Sequence, residues 1–84
     1  LAQAATELLD INEIKASFVL TEYNGRIYIS ARSIDEVNVQ IIMERLGGGG
    51  HQNIAGAQLA DMTMSEAINK LKEVLTKMTE EGAI

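Results

Sequence analysis

The chain has 84 residues, of which 46% are hydrophobic and 4% aromatic, a composition that predicts one small domain with an aliphatic core. Its formal net charge of −5 argues against a general nucleic-acid coat, since such proteins usually carry a basic excess that binds the phosphate backbone. A small anion held in one local pocket remains compatible with this charge. The chain has no cysteine, which excludes disulfides and thiolate metal sites, and no apolar run near the roughly 20 residues of a membrane span.

The first segment is predicted to be helical. Apolar residues at helical spacing predict an amphipathic helix over residues 1–9; they are Leu1, Ala4, Ala5 and Leu8. The chain opens inside this pattern, without an initiator methionine or a signal peptide pattern. We therefore expect it to be a piece of a longer protein.

A β-hairpin is predicted next. Residues 16–23 are rich in β-branched and aromatic types, which favours a strand. Asn24-Gly25 is typical of a type I′ turn, because both central residues of that turn need a positive φ. Residues 26–32 form the predicted return strand, with polar side chains alternating on one face; these are Arg26, Tyr28, Ser30 and Arg32.

A helix over about residues 36–46 follows from the apolar spacing of Val39, Ile42, Met43 and Leu46. Its start has two candidates. Ser33 and Glu36 have the spacing of a capping box, while Asp35 and Asn38 offer a competing start. Gly47 lies where a glycine would end the helix.

The last third is predicted to contain a turn, a strand and a long helix. Residues 51–55 are predicted to form a short helical turn and residues 56–62 a strand. Thr63 and Glu66 form a capping box that opens a helix running to about residue 80, and Gly82 marks its end. The order α-β-β-α-β-α predicts an α/β (α+β) fold with a small mixed sheet of three or more strands covered by helices.

Four consecutive glycines, Gly47 to Gly50, are followed directly by the chain's single histidine, His51. A helix cap explains one glycine but not four, because each costs entropy on folding. The functional interpretation is a cradle of backbone N–H groups for a phosphate, continued by the turn after it. The loop lacks the Lys-Ser or Lys-Thr of a Walker loop, and it follows a helix rather than the strand of a dinucleotide fingerprint.

Three side chains near this loop are candidate ligand contacts. His51 can donate a hydrogen bond to a phosphate oxygen, although a lone histidine is most often an ordinary surface residue. Arg32 ends the second strand on its polar face and can bind a phosphate through its planar fork; the alternative is an exposed charge. Ser33 can cap the helix, contact the ligand, or both. Arg26 and Tyr28 lie on the same face of the strand as Arg32 but further from its end. For these two residues we favour exposed side chains without a function.

Three stretches together resemble a DHHA1 domain, the C-terminal substrate-binding domain of the DHH phosphoesterases. They are residues 30–38, the loop at 47–51 and Ala55-Gly56-Ala57. The resemblance covers nearly the whole chain, so residues 1–84 are expected to be one such domain and a C-terminal fragment of a longer DHH phosphoesterase. Within the family, the stretches at 29–33 and 37–44 are most similar to those of the membrane-bound enzymes that hydrolyse cyclic di-AMP.

The resemblance implies a division of labour between two domains. The preceding DHH domain is expected to hold two manganese ions and to perform the hydrolysis, so that this chain carries no metal site or cofactor of its own and is inactive alone. The DHHA1 domain is expected to bind a cyclic dinucleotide or short oligonucleotide. The implied location of this domain is the cytoplasm, as part of a protein anchored in the bacterial plasma membrane. A second copy of the chain, in a homodimer, is a further candidate partner.

The resemblance also implies site residues. Arg32 and Ser33 would contact the substrate, with Asn38 as a further contact. The loop would hold the phosphate near the metals, with His51 in the catalytic role of contacting the phosphate in the transition state; its residues are Gly48, Gly49, Gly50 and His51. Gly56 would allow close packing behind the loop.

Two other functions remain open from the sequence. One is a nucleic-acid-binding domain, as in a DHH exonuclease, an oligoribonuclease, a bisphosphate-nucleotide phosphatase or the related domain of alanyl-tRNA synthetases. His51 and the acidic charge count against the synthetase, whose glycine loop usually lacks the histidine. The other is a structural or interaction domain in which the glycines serve as a hinge.

Overall fold

A computed structural model describes residues 5–84, which form a five-stranded sheet and two helices. In chain order the elements are β1 (Ala5–Ile11), β2 (Ala16–Tyr23), β3 (Arg26–Ser33), α1 (Val39–Glu44), β4 (Gly49–Gly50), β5 (Ile54–Ala60) and α2 (Met64–Glu80). The strand order across the sheet is β1-β2-β3-β5-β4, and these strands all pair antiparallel. The predicted α+β class with a helix-covered sheet is confirmed, but the sheet described in residues 5–84 is antiparallel throughout rather than mixed as predicted.

The helix predicted over residues 1–9 is wrong for the part that the structure describes. Residues 5–11 form β1, which pairs with β2 in a register that sets Leu8 opposite Val19. Side chains alternate, with Leu9 and Ile11 half-buried and Leu8 65% exposed. A short run of apolar residues at helical spacing does not distinguish a helix from a strand when a neighbouring strand offers backbone partners. In residues 5–11 the pairing with β2 decides the conformation. Residues 1–4 of that prediction lie outside the described residues.

The hairpin prediction is confirmed. Asn24 and Gly25 both have positive φ, 52° and 75°, as a type I′ turn requires. The strand that returns from this turn runs to Ser33, one residue beyond the predicted end.

The core lies between the helices and one face of the sheet. Alternate residues of β2, β3 and β5 point into it and are buried, among them Phe18, Ile29 and Ala57. Both helices add their apolar sides, with Ile42 of α1 and Leu71 of α2 fully buried. The core is aliphatic apart from Phe18, as the composition predicts.

Helix α1 is shorter than predicted because it begins after both candidate starts, Ser33 and Asp35. Asn38 is its N-cap, and its Oδ1 accepts a hydrogen bond from the backbone N of Gln40 (3.0 Å). The capping box at Ser33 and Glu36 does not form, because Ser33 continues β3 instead.

The predicted helix stop at Gly47 is confirmed. The N–H of Gly48 donates to the Met43 carbonyl (2.8 Å) and the N–H of Gly47 to the Glu44 carbonyl (3.1 Å), while Gly47 has a φ of +85°. These are the bonds of a Schellman motif, which needs a left-handed residue where Gly47 stands.

The helical turn predicted for residues 51–55 is wrong. The chain makes a tight reversal between β4 and β5, closed by a bond from the His51 N to the Ile54 carbonyl (2.7 Å). The strand predicted for residues 56–62 exists, but it runs two residues earlier at both ends, because Ala55 and Gly56 pair with the glycines of β4.

The capping box of α2 is confirmed. The Glu66 N donates to the Thr63 Oγ1 (3.1 Å), and the Thr63 N donates to the Glu66 carboxylate (2.8 Å). The helix ends at Glu80, and Gly82 follows with a φ of 76°, as predicted. Within residues 5–84, neither helix has the length and apolar character needed to cross a bilayer.

Candidate functional site

Both helices pack on one side of the sheet, so the opposite side is open to solvent. We call this side of β2, β3 and β5 the open face. Its residues are Ser17, Val19, Thr21 and Tyr23 of β2, Arg26, Tyr28, Ser30 and Arg32 of β3, and Ile54, Gly56, Gln58 and Ala60 of β5. The only charged side chains among them are two arginines, in a chain whose net charge is −5. The open face therefore favours an anionic ligand.

The register places the glycine loop on this face. Ser30 of β3 lies opposite Gly56 of β5, and Gly56 lies opposite Gly49 of β4. These three residues form a row across the sheet that has only one short side chain. A ligand can therefore approach the backbone closely along this row.

Three glycines are explained by close packing. A Cβ at Gly48 would clash with the Gly56 carbonyl oxygen and lie 2.7 Å from the Ala57 Cα, and one at Gly50 would lie 2.5 Å from the Ala55 Cα. A Cβ at Gly56 would lie 2.9 Å from the Ile29 carbonyl oxygen. These glycines let β4 pack directly against β5, and β5 against β3.

Gly49 has no such requirement. A Cβ added there would meet nothing within 4 Å, and its φ lies outside the left-handed region. The fold would accept a side chain at this position. Gly49 is therefore the glycine of the run for which a ligand is the best physical reason.

The predicted cradle of free N–H groups is wrong for most of the loop. The N–H groups of Gly47 and Gly48 are bonded within the cap of α1. Hydrogen-bonded pairs alternate along an antiparallel ladder, so the bond from His51 to Ile54 makes Gly49 and Gly56 a bonded pair as well. Only the N–H of Gly50 points away from β5, off the edge of the sheet. The loop thus offers a surface without side chains rather than an array of donors.

Arg32 and His51 lie at the same end of this surface, on either side of Ile54, whose side chain is 52% exposed between them. Arg32 lies opposite Ile54 on β5, and His51 is bonded to the same residue from the other side. The loop that carries His51 is held by bonds from the Ser33 N to the Asn53 carbonyl (2.9 Å) and from the Val39 N to the Gln52 carbonyl (3.0 Å). Both Arg32 and His51 are exposed.

Ser33 and Asn38 are not on the open face. Ser33 alternates to the other side of β3, and its hydroxyl donates to the Asp35 carbonyl (3.3 Å). Asn38 caps α1 and so serves the fold. Their predicted contacts with a substrate stay predictions, and neither is adjacent to the Ser30, Gly56 and Gly49 row.

A groove of about 610 Å³ on the open face was missed by the sequence reasoning. Its lining includes Arg26, Tyr28 and Gln58, together with Gly48 and Gly56 of the glycine surface. The signal for the first two was present in the sequence, because they alternate with Arg32 on the same strand. Gln58 joins them only through the pairing of β3 with β5.

The part of the chain that the structure describes offers no set of ligands for manganese. Residues 5–84 contain no group of three or more His, Cys, Asp or Glu side chains placed to hold a metal ion. His51 lies beside glycines on one side and Gln52 on the other, none of which is a carboxylate.

Comparison with known protein families identifies the family of this domain. The sequence model of the DHHA1 domain family matches residues 1–81 of the chain. The chain therefore belongs to the DHHA1 domain family, as its motifs predict.

Individual relatives refine the comparison. The chain is 49% identical over 83 residues to a cyclic-di-AMP phosphodiesterase of Geobacillus thermodenitrificans, covering 98% of this chain and 13% of that protein. It is 49% identical over 71 residues to a cyclic-di-AMP phosphodiesterase of Listeria monocytogenes, covering 83% of this chain and 11% of that protein. An A-adding tRNA nucleotidyltransferase of Geobacter sulfurreducens is 32% identical over 79 residues, which cover 93% of this chain and 9% of that protein. The chain thus spans only a small part of each of these relatives.

Proposed function

We propose that this chain is the nucleotide-binding domain of a two-metal DHH phosphodiesterase that hydrolyses cyclic di-AMP. Two phosphodiesterases named for this substrate share 49% of their residues with the chain over the aligned regions. The preceding DHH domain of the same protein is proposed to hold the manganese ions and to cut the phosphodiester. The proposed location is the cytoplasmic side of a bacterial plasma membrane, to which the parent protein is anchored.

One observation carries this proposal: the Ser30, Gly56 and Gly49 row lies on the open face directly beside Arg32 and His51. A phosphate can reach the backbone along the row because no side chain larger than serine stands in the way. Two cationic or hydrogen-bonding side chains then flank it at one end.

The residues have separate roles in this proposal. The Arg32 guanidinium binds two phosphate oxygens through parallel N–H groups and thereby fixes the orientation of the phosphodiester. The His51 ring donates a hydrogen bond to the phosphate oxygen on which charge develops during cleavage. The row of Ser30, Gly56 and Gly49 lets the phosphate approach without a steric barrier.

Arg32→Ala in the full-length protein tests the proposal. We expect the KM for cyclic di-AMP to rise about tenfold or more, because a charge-assisted hydrogen bond is lost. Lys72→Ala is the matched control, since Lys72 is an exposed cation on α2, across the sheet from the open face. Equal KM values for both variants, or a wild-type protein that does not hydrolyse cyclic di-AMP, would contradict the proposal.

A second candidate function is binding of longer nucleic acid, as in a DHH exonuclease, an oligoribonuclease or a bisphosphate-nucleotide phosphatase. The likeness to a tRNA nucleotidyltransferase favours it, as do two arginines and two exposed tyrosines on the open face. Binding of this kind weakens steeply with salt in proportion to the phosphates contacted. A comparison of cyclic di-AMP with a single strand of about ten nucleotides at two salt concentrations separates the two functions.

A further inference from the structure

We infer that Tyr28 and Gln58 form a nucleobase subsite next to the glycine row, an inference that rests on the proposed function and adds to it where a base of the substrate binds. The two residues lie directly opposite each other on β3 and β5. Directly paired residues have Cβ atoms about 4.5–5.5 Å apart, so the phenol ring and the amide stand side by side. Both belong to the groove of about 610 Å³ on the open face.

The two side chains are available to a ligand. Tyr28 is 38% exposed, although a ring of this size is more often largely covered in a folded domain. No residue of the described part of the chain hydrogen-bonds to the side chain of Tyr28 or Gln58. An aromatic surface and an unpaired amide are thus presented together on the open face.

Their position relative to the glycine row matches the dimensions of a nucleotide. Tyr28 and Gln58 lie two residues along their strands from Ser30 and Gly56. Two residues of a strand span about 6.6 Å, which is on the scale that separates a base from its phosphate across a ribose. A phosphate over the row can therefore place its own base over Tyr28.

The chemistry of the pair favours adenine. Aromatic side chains stack on any base, and the gain from stacking is large enough to matter for affinity. On the base edge that carries N7, a glutamine amide can accept a hydrogen bond from the adenine amino group and donate one to N7, whereas the same edge of guanine carries two acceptors, O6 and N7. Tyr28 would thus supply affinity and Gln58 the preference for adenine.

Steady-state kinetics of the full-length protein test this subsite. For Tyr28→Leu we expect the KM for cyclic di-AMP to rise about tenfold, with kcat changed less than about twofold, because stacking on a base is lost without a change at the phosphate. Tyr28→Phe keeps the ring and should keep the KM. Tyr23→Leu is the matched control, since Tyr23 is 44% exposed on the same face but lies outside the groove.

Gln58→Ala provides an independent readout. We expect the ratio of kcat/KM for cyclic di-AMP to that for cyclic di-GMP to fall about tenfold, because the groups that read the base edge are removed.

The outcomes separate the subsite from the proposed function. A wild-type protein that hydrolyses cyclic di-AMP, with the same KM in Tyr28→Leu, overturns the subsite alone. Equal losses in Tyr28→Leu and Tyr23→Leu also overturn it, because they indicate an effect on the sheet rather than on a base. A wild-type protein without turnover of any cyclic dinucleotide overturns both proposals.

Discussion

Neighbouring glycines of the loop have different physical reasons for being glycine. Gly48 has no room for a side chain, because the backbone of β5 occupies that space, whereas Gly49 faces open space. Glycine at position 48 therefore serves the fold, and glycine at position 49 is available to serve a ligand. Substitution by alanine can distinguish these two reasons.

Gly49→Ala should leave the fold intact and impair the enzyme. Its Cβ meets no atom within 4 Å, so we expect a free energy of unfolding within about 1 kcal/mol of wild type and a loss of at least tenfold in kcat/KM for cyclic di-AMP. Gly48→Ala, by contrast, should destabilise the domain by about 1–3 kcal/mol or more through overpacking. Thermal unfolding and steady-state kinetics of both variants check this contrast. Normal activity of Gly49→Ala would show that no ligand approaches there.

His51 is exposed, so its substitution should act on catalysis rather than on stability. We expect His51→Ala to lower kcat of the full-length enzyme about a hundredfold, as the loss of one donor to a developing oxyanion does elsewhere, with an unchanged melting temperature. Gln52→Ala is the neighbouring control, because Gln52 contributes its backbone carbonyl to the bond with Val39. Similar kinetics for the two variants would reject the catalytic role of His51.

At the scale of elements, the C-terminal ends of the two helices are joined by an ion pair. Arg45, just after α1, donates to both carboxylate oxygens of Glu81, just after α2. The hydrogen bond from the guanidinium lowers the pKa of Glu81 below its ordinary value, while partial desolvation opposes this shift. The pair lies at the surface, where solvent screening keeps its contribution small.

The ion pair predicts a stability difference that depends on pH. Because the pKa of Glu81 is lower in the folded state, the pair stabilises above the ordinary glutamate pKa, and this effect is lost as pH falls through the folded value. Glu81→Gln should therefore melt slightly below wild type at pH 7, and the two melting curves should converge in acid. A difference that stays constant down to acidic pH would show that the charge of Glu81 is not its cause.

At the scale of the whole molecule, the helices cover only one side of the sheet. The uncovered side holds Arg26, Arg32 and the glycine row, whereas the carboxylates of the described chain lie elsewhere or on β1 at the edge. A partner domain that closes over the open face would enclose a nucleotide between the two domains. This arrangement suits a domain that binds a substrate but leaves the bond cleavage to its neighbour.

The 84-residue chain by itself should bind a nucleotide without hydrolysing it. With manganese present we expect no turnover of cyclic di-AMP, because no cluster of metal-ligating side chains exists in residues 5–84. Titration with the dinucleotide should shift the amide NMR signals of Gly49, Gly50 and His51. Metal-dependent turnover by the purified chain would overturn the division of labour between two domains.

The sequence by itself determined the features that depend on a few neighbouring residues. The turn at Asn24-Gly25, the capping box at Thr63 and the helix stop at Gly47 were predictable because positive φ and side-chain caps are local requirements. The DHHA1 motifs and the candidates Arg32 and His51 were likewise readable from the order of residues.

Only the tertiary structure decided what depends on pairing between distant strands. Residues 5–11 became β1 because β2 had an edge to pair with, and the glycines became β4 because Gly48 and Gly50, which lack a Cβ, let their backbone come close to β5. The same pairing aligned Gly49, Gly56 and Ser30 in one row and brought Gln58 beside Tyr28. Register joins residues more than 25 positions apart in the chain, as Tyr28 and Gln58 are, and local patterns carry no information about such pairs.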